Sequence, residues 1–144
     1  MSVKKKLLFV CTGNSARSQM AEGLLRDIAD DRFEVSSAGT KPTDIRPEAI
    51  KVMDEIGIDI SGQYPKYVDK FIGQNFDYVI TVCDSTKEAC PVFPAMAERL
   101  HWSFQDPAAV QGAESERLSA FRKIRDQIRA RIESFLRDAR EITS

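Results

Sequence analysis

Apolar residues along the chain follow two spacings that alternate, and this alternation predicts an α/β fold. Short runs of consecutive apolar residues, typical of buried parallel strands, lie near residues 4–10, 33–38 and 77–82, with a shorter run near 98–102. Segments with apolar residues at helical spacing separate these runs. The pattern predicts a four-stranded parallel sheet with helices on both faces, and no linker divides residues 1–144, so we expect a single domain.

Three helical segments follow from the same pattern. The first runs from Arg17 to Ala29, and the second, from Glu48 to Ile56, is framed by Pro47 and Gly57. The final helix carries one apolar stripe, made of Leu118, Phe121, Ile124, Ile128, Ile132, Phe135 and Leu136. Its arginines, which are Arg122, Arg125, Arg129, Arg131 and Arg137, alternate with acidic residues. This mixture favours a solvated face over a nucleic-acid-binding surface.

Composition narrows the function classes. The formal net charge of the 144-residue chain is -1, which argues against a nucleic-acid partner and leaves any anion binding to a local site. Three lysines and only about five apolar residues precede Gly13, too few for a secretory signal, and no run is long enough to span a membrane. We expect a cytoplasmic protein without a membrane partner, and a monomer.

The turn after the first strand combines a possible nucleophile with an anion site. It reads Cys11-Thr12-Gly13-Asn14-Ser15-Ala16-Arg17-Ser18. Backbone N–H groups of residues 12–17 can converge at such a strand-to-helix turn, and the positive end of the following helix favours an oxyanion there. The same field is expected to favour the thiolate of the cysteine.

Individual residues of this turn have predicted conformational roles. Gly13 is expected to adopt a positive φ, and Asn14 is the other residue type that tolerates it. Asn14 and Ser15 also fit helix capping, which uses the same N–H groups as oxyanion binding. A buried cysteine that merely ends a strand is the alternative interpretation of Cys11.

The other two cysteines lie around a second predicted strand end. Cys83 follows the strand near 77–82 and should reach the same edge of the sheet as Cys11, and Cys90 follows in a C-x6-C arrangement. The polar run from Asp84 to Glu88 has little to anchor it in the core, so a mobile redox loop is predicted. Alternatively, the two cysteines are unrelated buried residues. The chain lacks a paired C-x2-C motif and the sole histidine, His101, is interpreted as structural, so no metal site is predicted.

These motifs resemble a known family. The sequence C-T-G-N-S-A-R-S resembles the phosphate-binding loop of the low-molecular-weight protein tyrosine phosphatase superfamily. The cysteine triplet with its C-P-x-F-P ending resembles the thioredoxin-coupled arsenate reductases of that superfamily. The similarity covers nearly the whole chain, including R-S-Q-M-A-E, S-A-G and H-W-S-F-Q-D-P-A.

The resemblance implies a low-molecular-weight phosphatase-like fold and a set of roles. Cys11 would attack bound arsenate, Arg17 and the amides of residues 12–18 would hold its oxygens, and Ser18 would lower the pKa of Cys11. Asp106 would be the general acid, and Pro107 biases it toward an extended conformation. Cys83 and then Cys90 would pass the oxidation to thioredoxin, with no cofactor bound to the protein.

Two other functions remain open at this point. The first is a phosphatase that hydrolyses aryl phosphates through a Cys11 phosphoenzyme, with Cys83 and Cys90 as protection against over-oxidation. Against it, small residues follow the Asp-Pro pair where an aromatic slot would need larger ones: Ala108-Ala109-Val110-Gln111-Gly112. The second is a non-enzymatic thiol sensor, for which the chain offers no dedicated interface signal. Another thiol, such as glutaredoxin, also stays possible as the reductant.

Some arsenate reductases of this type bind a potassium ion near the anion loop, through residues that correspond to Asn14, Glu22 and Ser37 plus an aspartate. The aspartate position holds Lys66 in this sequence. We hypothesise that its ammonium group replaces the cation.

Overall fold

A computed structural model describes residues 4–84 and 97–143. They contain four strands: β1, Lys5–Cys11; β2, Phe33–Gly39; β3, Tyr78–Cys83; and β4, Glu98–Ser103. All pair in parallel in the order β2-β1-β3-β4. The four-stranded parallel sheet predicted from the apolar runs is therefore confirmed, with strand bounds that differ by one residue from most of the predicted ends.

The helices also lie where the pattern predicts them. They are α1, Arg17–Ala29; α2, Pro47–Asp54; and α3, Glu114–Thr143. Two short 3-10 helices, Val68–Phe71 and Pro107–Ala109, lie in the connections. The second α-helix ends two residues earlier than predicted, and Gly57 adopts the positive φ of 80° that the turn after it needs.

The two faces of the sheet are covered differently. All three α-helices pack on one face, where β1 contributes Leu7 and Phe9 to the larger apolar core. On the opposite face Leu8 and Val10 pack with Phe71, Phe76 and Val79 around the 3-10 helix Val68–Phe71. Helical elements thus flank both faces, but the larger part of the described core lies on the side of the α-helices.

The apolar stripe of α3 is buried as predicted, since Phe121, Ile128 and Ile132 are fully inaccessible to solvent. Its arginine face is less solvated than the charge alternation suggests. Arg125 is buried and donates hydrogen bonds to the Val52 carbonyl and to Glu55. The reason is that α2 packs against this face, so part of it becomes a contact between two helices.

Within the part of the chain that the structure describes, no helix is both long and apolar enough to cross a bilayer.

Candidate active site

Parallel pairing brings the carboxyl ends of β1, β2 and β3 to one edge of the sheet, and a cavity of about 390 Å³ opens there. Its wall is formed by the turn after β1, by two residues after β2 and by one residue after β4. The lining residues are Cys11, Thr12, Gly13, Ser15, Ala16, Arg17, Lys41, Thr43 and Asp106. The cavity therefore joins the predicted nucleophile, arginine and acid in a single space.

The turn after β1 has a different strained residue from the one predicted. Asn14 has a φ of 48°, whereas Gly13 is not among the residues with positive φ. Asparagine tolerates this conformation because its short side chain makes local hydrogen bonds. Gly13 matters for space instead: a Cβ there would lie 3.2 Å from the Ser15 hydroxyl oxygen and 3.5 Å from that of Thr43.

The predicted helix capping is also wrong. Ala16 occupies the N-cap position of α1, and no side chain among the described residues caps the helix. The Asn14 side chain points back into the protein, where it bonds to Ser18 and Ser37. The Ser18 N–H in the first turn of α1 donates instead to the Cys11 sulfur, so the positive end of the helix acts on the thiol.

Cys11 is a buried free thiol surrounded by hydrogen-bond donors. Its sulfur lies 2.8 Å from the Ser18 hydroxyl oxygen and accepts the Asn14 N–H at 3.0 Å. Burial raises the pKa of Cys11 above its ordinary value, while the Ser18 and Asn14 hydrogen bonds and the Arg17 charge act in the opposite direction. The donors expected to favour the thiolate are present, but desolvation outweighs them.

A chain of buried hydrogen bonds fixes the direction in which Ser18 donates. Ser37 donates to the Glu22 carboxylate at 2.5 Å, so its oxygen accepts one N–H of the Asn14 amide at 3.0 Å. The other N–H of that amide donates to Ser18 at 2.8 Å. The Ser18 hydroxyl proton is thus left for the Cys11 sulfur. The Asn14 amide orientation is fixed too, since its oxygen accepts the Lys66 N–H.

Lys66 lies behind this network. Its Nζ is 3.6 Å from a Glu22 carboxylate oxygen, donates to the Tyr64 carbonyl at 2.8 Å and lies over the Tyr64 ring. Burial lowers the pKa of Lys66, and the negative charge of Glu22 opposes that shift. The side chain is thus buried, and its ammonium group lies next to the Glu22 carboxylate.

Arg17 and Asp106 close the other side of the cavity. Arg17 is buried, donates to the Phe104 carbonyl at 3.1 Å and lies 3.9 Å from a carboxylate oxygen of Asp106. Asp106 has the extended backbone expected before Pro107, with φ -78° and ψ 109°, and its other oxygen accepts the Ala108 N–H. The carboxylate thus faces the mouth of the cavity without being buried in it.

Sequence patterns did not indicate Lys41 and Thr43 as cavity residues. They lie in an irregular segment after β2 that carries no periodic apolar signal. The available clue was its position, because the segment follows the S-A-G step at the carboxyl end of a strand next to β1.

Cys83 lies where the sequence placed it, at the carboxyl end of β3, and is fully buried and disulfide-bonded. Asp84, predicted to begin a poorly anchored polar run, is buried as well. The rest of that run and Cys90 lie outside the described residues. Strand alternation groups Cys83 with Val79, on the sheet face opposite to the core cluster that contains Cys11.

The histidine is not among the residues that line the cavity. His101 lies within β4, is exposed, and its ring nitrogen pairs with the Thr81 hydroxyl at 2.7 Å. Among residues 4–84 and 97–143, no group of three or more His, Cys, Asp or Glu side chains is arranged to hold a metal ion.

Comparison with known proteins decides the family. The profile of the family "Low molecular weight phosphotyrosine protein phosphatase" matches residues 6–143. The chain belongs to this family. The cavity described above therefore lies at the carboxyl edge of the sheet in a low-molecular-weight phosphatase fold.

Similar members of this phosphatase family carry a more specific name. The chain is 45% identical over 132 residues to an arsenate reductase of Halalkalibacterium halodurans, covering 92% of this chain and 95% of that protein. A solved structure of an arsenate reductase in reduced state matches with a TM-score of 0.76 and 34% identity, over 94% of this chain and 98% of the other. The thioredoxin-dependent arsenate reductase of Corynebacterium glutamicum matches with a TM-score of 0.66 and 30% identity, over 95% of this chain and 64% of the other.

Proposed function

We propose that this protein, acting as one domain, reduces arsenate to arsenite with electrons from thioredoxin. The observation that carries the proposal is a free Cys11 thiol in the anion loop together with a disulfide-bonded Cys83 at the end of the adjacent strand. A hydrolytic phosphatase needs only the first of these. The similarity to arsenate reductases over more than nine-tenths of the chain supports the same substrate.

The first step is displacement at arsenic. The Cys11 thiolate attacks, Arg17 and the N–H groups of residues 12–18 hold the oxygens, and Asp106 transfers a proton to the departing oxygen, which leaves as water. A covalent sulfur–arsenic(V) bond results. Because burial raises the pKa of Cys11, the Ser18 hydrogen bond is the main feature that offsets the cost of forming the thiolate.

The next two steps move the oxidation away from arsenic. The Cys83 thiolate attacks the Cys11 sulfur, the sulfur–arsenic bond breaks, and its electron pair stays on arsenic, which leaves as arsenite. Cys90 then attacks Cys83 and releases the Cys11 thiolate. Thioredoxin reduces the resulting disulfide and takes up the oxidation. A disulfide at Cys83 beside a free Cys11 is the state in which this relay ends.

The relay requires movement of β3 or of the chain after it. Alternation along the strands directs Cys11 and Cys83 toward opposite faces of the sheet, so their sulfurs are not aligned for bond formation in the described state. We propose that the end of β3 rearranges once arsenate is bound to Cys11.

A coupled assay tests the relay. Arsenate should drive NADPH oxidation through thioredoxin reductase and thioredoxin, and both Cys83→Ser and Cys90→Ser should abolish it. Hydrolysis of an aryl phosphate, which needs only Cys11, should persist in Cys90→Ser and disappear in Cys11→Ser. Normal arsenate turnover by both Cys83→Ser and Cys90→Ser would refute the relay. Mass spectrometry after adding arsenate to the reduced protein should trap a link between Cys83 and Cys90.

We further propose that the Lys66 ammonium takes the place of a bound potassium ion. Its support is the burial of Lys66 and the 3.6 Å approach of its Nζ to Glu22, whose carboxylate also accepts from Ser37. Potassium should therefore leave the activity and the melting temperature of the wild-type protein unchanged relative to sodium. A strong potassium-dependent rise in either would contradict the proposal.

A further inference from the structure

We propose that Lys41, supported by Thr43, forms a second anion-binding wall at the mouth of the cavity and selects free inorganic oxyanions over organic esters of the same acid. This inference rests on the proposed function for the identity of the substrate, but it concerns binding and can be tested without turnover. The starting observation is that both residues line the cavity together with Cys11, Arg17 and Asp106.

The segment that carries these residues is held firmly against the anion loop. The N–H of Lys41 donates to the Thr12 carbonyl at 2.8 Å, and the N–H of Thr43 donates to the Gly13 carbonyl at 2.9 Å. Further along, the Arg46 N–H donates to the Ser15 carbonyl at 2.9 Å. Because three carbonyls of the loop are used in this way, the segment keeps a fixed position beside the cavity.

The Lys41 charge is not used elsewhere. Within residues 4–84 and 97–143, its side chain has no hydrogen bond, ion pair or ring contact, and it is exposed. Most basic side chains at functional positions of this protein are engaged: Arg17 bonds to Phe104, and Lys66 contacts Glu22. A cation that lines an anion cavity and lacks a protein partner is suited to meet a charged ligand.

Charge balance in the occupied cavity favours such a contact. A dianionic oxyanion beside the Cys11 thiolate brings about three negative charges next to Arg17, which is the buried cation among the residues that line the cavity. A second positive group at the rim reduces this excess and attracts the anion from solution. Since Lys41 is exposed, the effect should be modest and sensitive to salt.

The direction from which the Cys11 sulfur attacks determines which part of a bound ligand faces Lys41. The Cys11 sulfur lies at the loop, so in an in-line displacement the departing oxygen faces the mouth, toward Asp106 and the Lys41 wall. In an inorganic oxyanion that outward position is a polar oxygen that an ammonium group can bind. In an aryl ester or an aryl phosphonate the outward position carries an apolar ring, and the lysine ammonium group has no charged or polar oxygen to bind there. Lys41 therefore favours the inorganic ligand.

Protection of Cys11 from iodoacetamide measures this preference. The concentration of inorganic phosphate that halves the alkylation rate is compared with that of phenylphosphonate, which cannot be hydrolysed. In Lys41→Gln the concentration of phosphate that halves the alkylation rate should rise about two- to fivefold, as expected for loss of an exposed charge contact. The corresponding concentration of phenylphosphonate should change by less than half as much. Lys41→Arg should restore the wild-type ratio.

The matched control is Lys123→Gln, which removes the same charge from an exposed position on α3. It should leave both values unchanged. The inference is overturned if Lys41→Gln binds phosphate like the wild type, or if both ligands lose affinity equally. Neither result depends on arsenate reduction, so a protein that fails the coupled assay can still show the Lys41 preference, and one that passes can lack it.

Discussion

Cys11 experiences two opposing influences on its pKa, and the balance between them comes from identifiable neighbours. Burial raises the pKa, while Ser18, the Asn14 N–H and Arg17 act to lower it. Ser18 is the largest of the lowering contributions. Its proton is directed to the sulfur by a chain of hydrogen bonds in which the Glu22 carboxylate accepts from Ser37, and the Asn14 amide donates to Ser37 and Ser18. Glu22 and Ser37, which are not among the residues that line the cavity, thus influence the Cys11 thiol through this chain.

Replacing Ser18 by alanine tests this account. Loss of a hydrogen bond to a charged group costs about 1.5–3 kcal/mol, so alkylation of Cys11 at neutral pH should slow about ten- to a hundredfold. The pKa of Cys11 should rise further, so the alkylation rate should increase at higher pH than in the wild type. Rates measured across a pH series check both. Ser119→Ala, an exposed change on α3, is the control. An unchanged pH profile in Ser18→Ala would contradict the assignment.

Gly39 is required by the same loop for a steric reason. A Cβ at Gly39 would lie 2.5 Å from the Thr12 carbonyl oxygen and 3.0 Å from the backbone nitrogen of Asn14. Both are backbone atoms of the loop after β1, so rotation of a side chain cannot relieve the contact.

We therefore predict that Gly39→Ala destabilises the protein by about 1–3 kcal/mol, the usual cost of overpacking, and weakens phosphate binding at the displaced loop. Thermal unfolding and the Cys11 protection assay measure the two effects. Gly62→Ala is the matched control, because a Cβ there meets nothing within 4 Å. Equal stability of the two variants would show that the loop can shift without cost.

At the scale of elements, α2 and α3 are joined by charged groups as well as by apolar packing. Glu55, directly after α2, accepts two hydrogen bonds from Arg122 Nε and one from its Nη2, and one from Arg125. The Arg122 hydrogen bond is the main cause that lowers the pKa of Glu55. Because the pKa of Glu55 is lowered by folding, its carboxylate stabilises the folded state at pH values above the pKa that it has in the unfolded chain. This stabilisation disappears as the pH falls through the pKa that Glu55 has in the folded state.

Glu55→Gln should consequently lower the melting temperature near neutral pH. The gap between variant and wild type should close as the pH falls below about 4, where an ordinary glutamate becomes protonated. Melting curves between pH 7 and pH 3 give the comparison. Glu133→Gln, an exposed change on α3, is the control and should show a smaller gap at neutral pH. A gap for Glu55→Gln that stays constant with pH would rule out the charge contact as its cause.

At the scale of the whole molecule, the proposed anion site draws on several parts of the chain, so a bound anion should stabilise the fold as a unit. Arg17 links the turn after β1 to the segment after β4 through the Phe104 carbonyl and Asp106. An oxyanion held by this arginine and the loop amides binds the folded state alone. At 100 times the dissociation constant such a ligand adds about 2.7 kcal/mol of stability.

The melting temperature should therefore rise with the logarithm of inorganic phosphate concentration above the dissociation constant. In Arg17→Lys the phosphate-dependent rise should shrink strongly, because lysine cannot provide the paired planar donors of arginine. The comparison uses the rise in each variant, not its starting melting temperature. A rise of the same size in Arg17→Lys would show that the arginine does not hold the anion. Sodium chloride at equal ionic strength is the control.

The sequence by itself determined the α/β architecture, the four strands and the positions of the main helices. It could do so because buried parallel strands require continuous apolar runs, and amphipathic helices require apolar residues at helical spacing. It also indicated the anion loop and its cysteine and arginine, because that chemistry depends on residues close together in the chain. Each of these features is determined by residues that are close together in the sequence.

Tertiary structure decided the rest, because the remaining properties depend on what packs around each residue. Only the fold shows that Asn14, and not Gly13, takes the positive φ, and that burial raises the pKa of Cys11 despite its donors. Only the fold buries Arg125 between two helices. Only the fold brings Lys41 to the cavity from a segment without periodicity. Desolvation and long-range contact are properties of the assembled core, and no single stretch of sequence contains them.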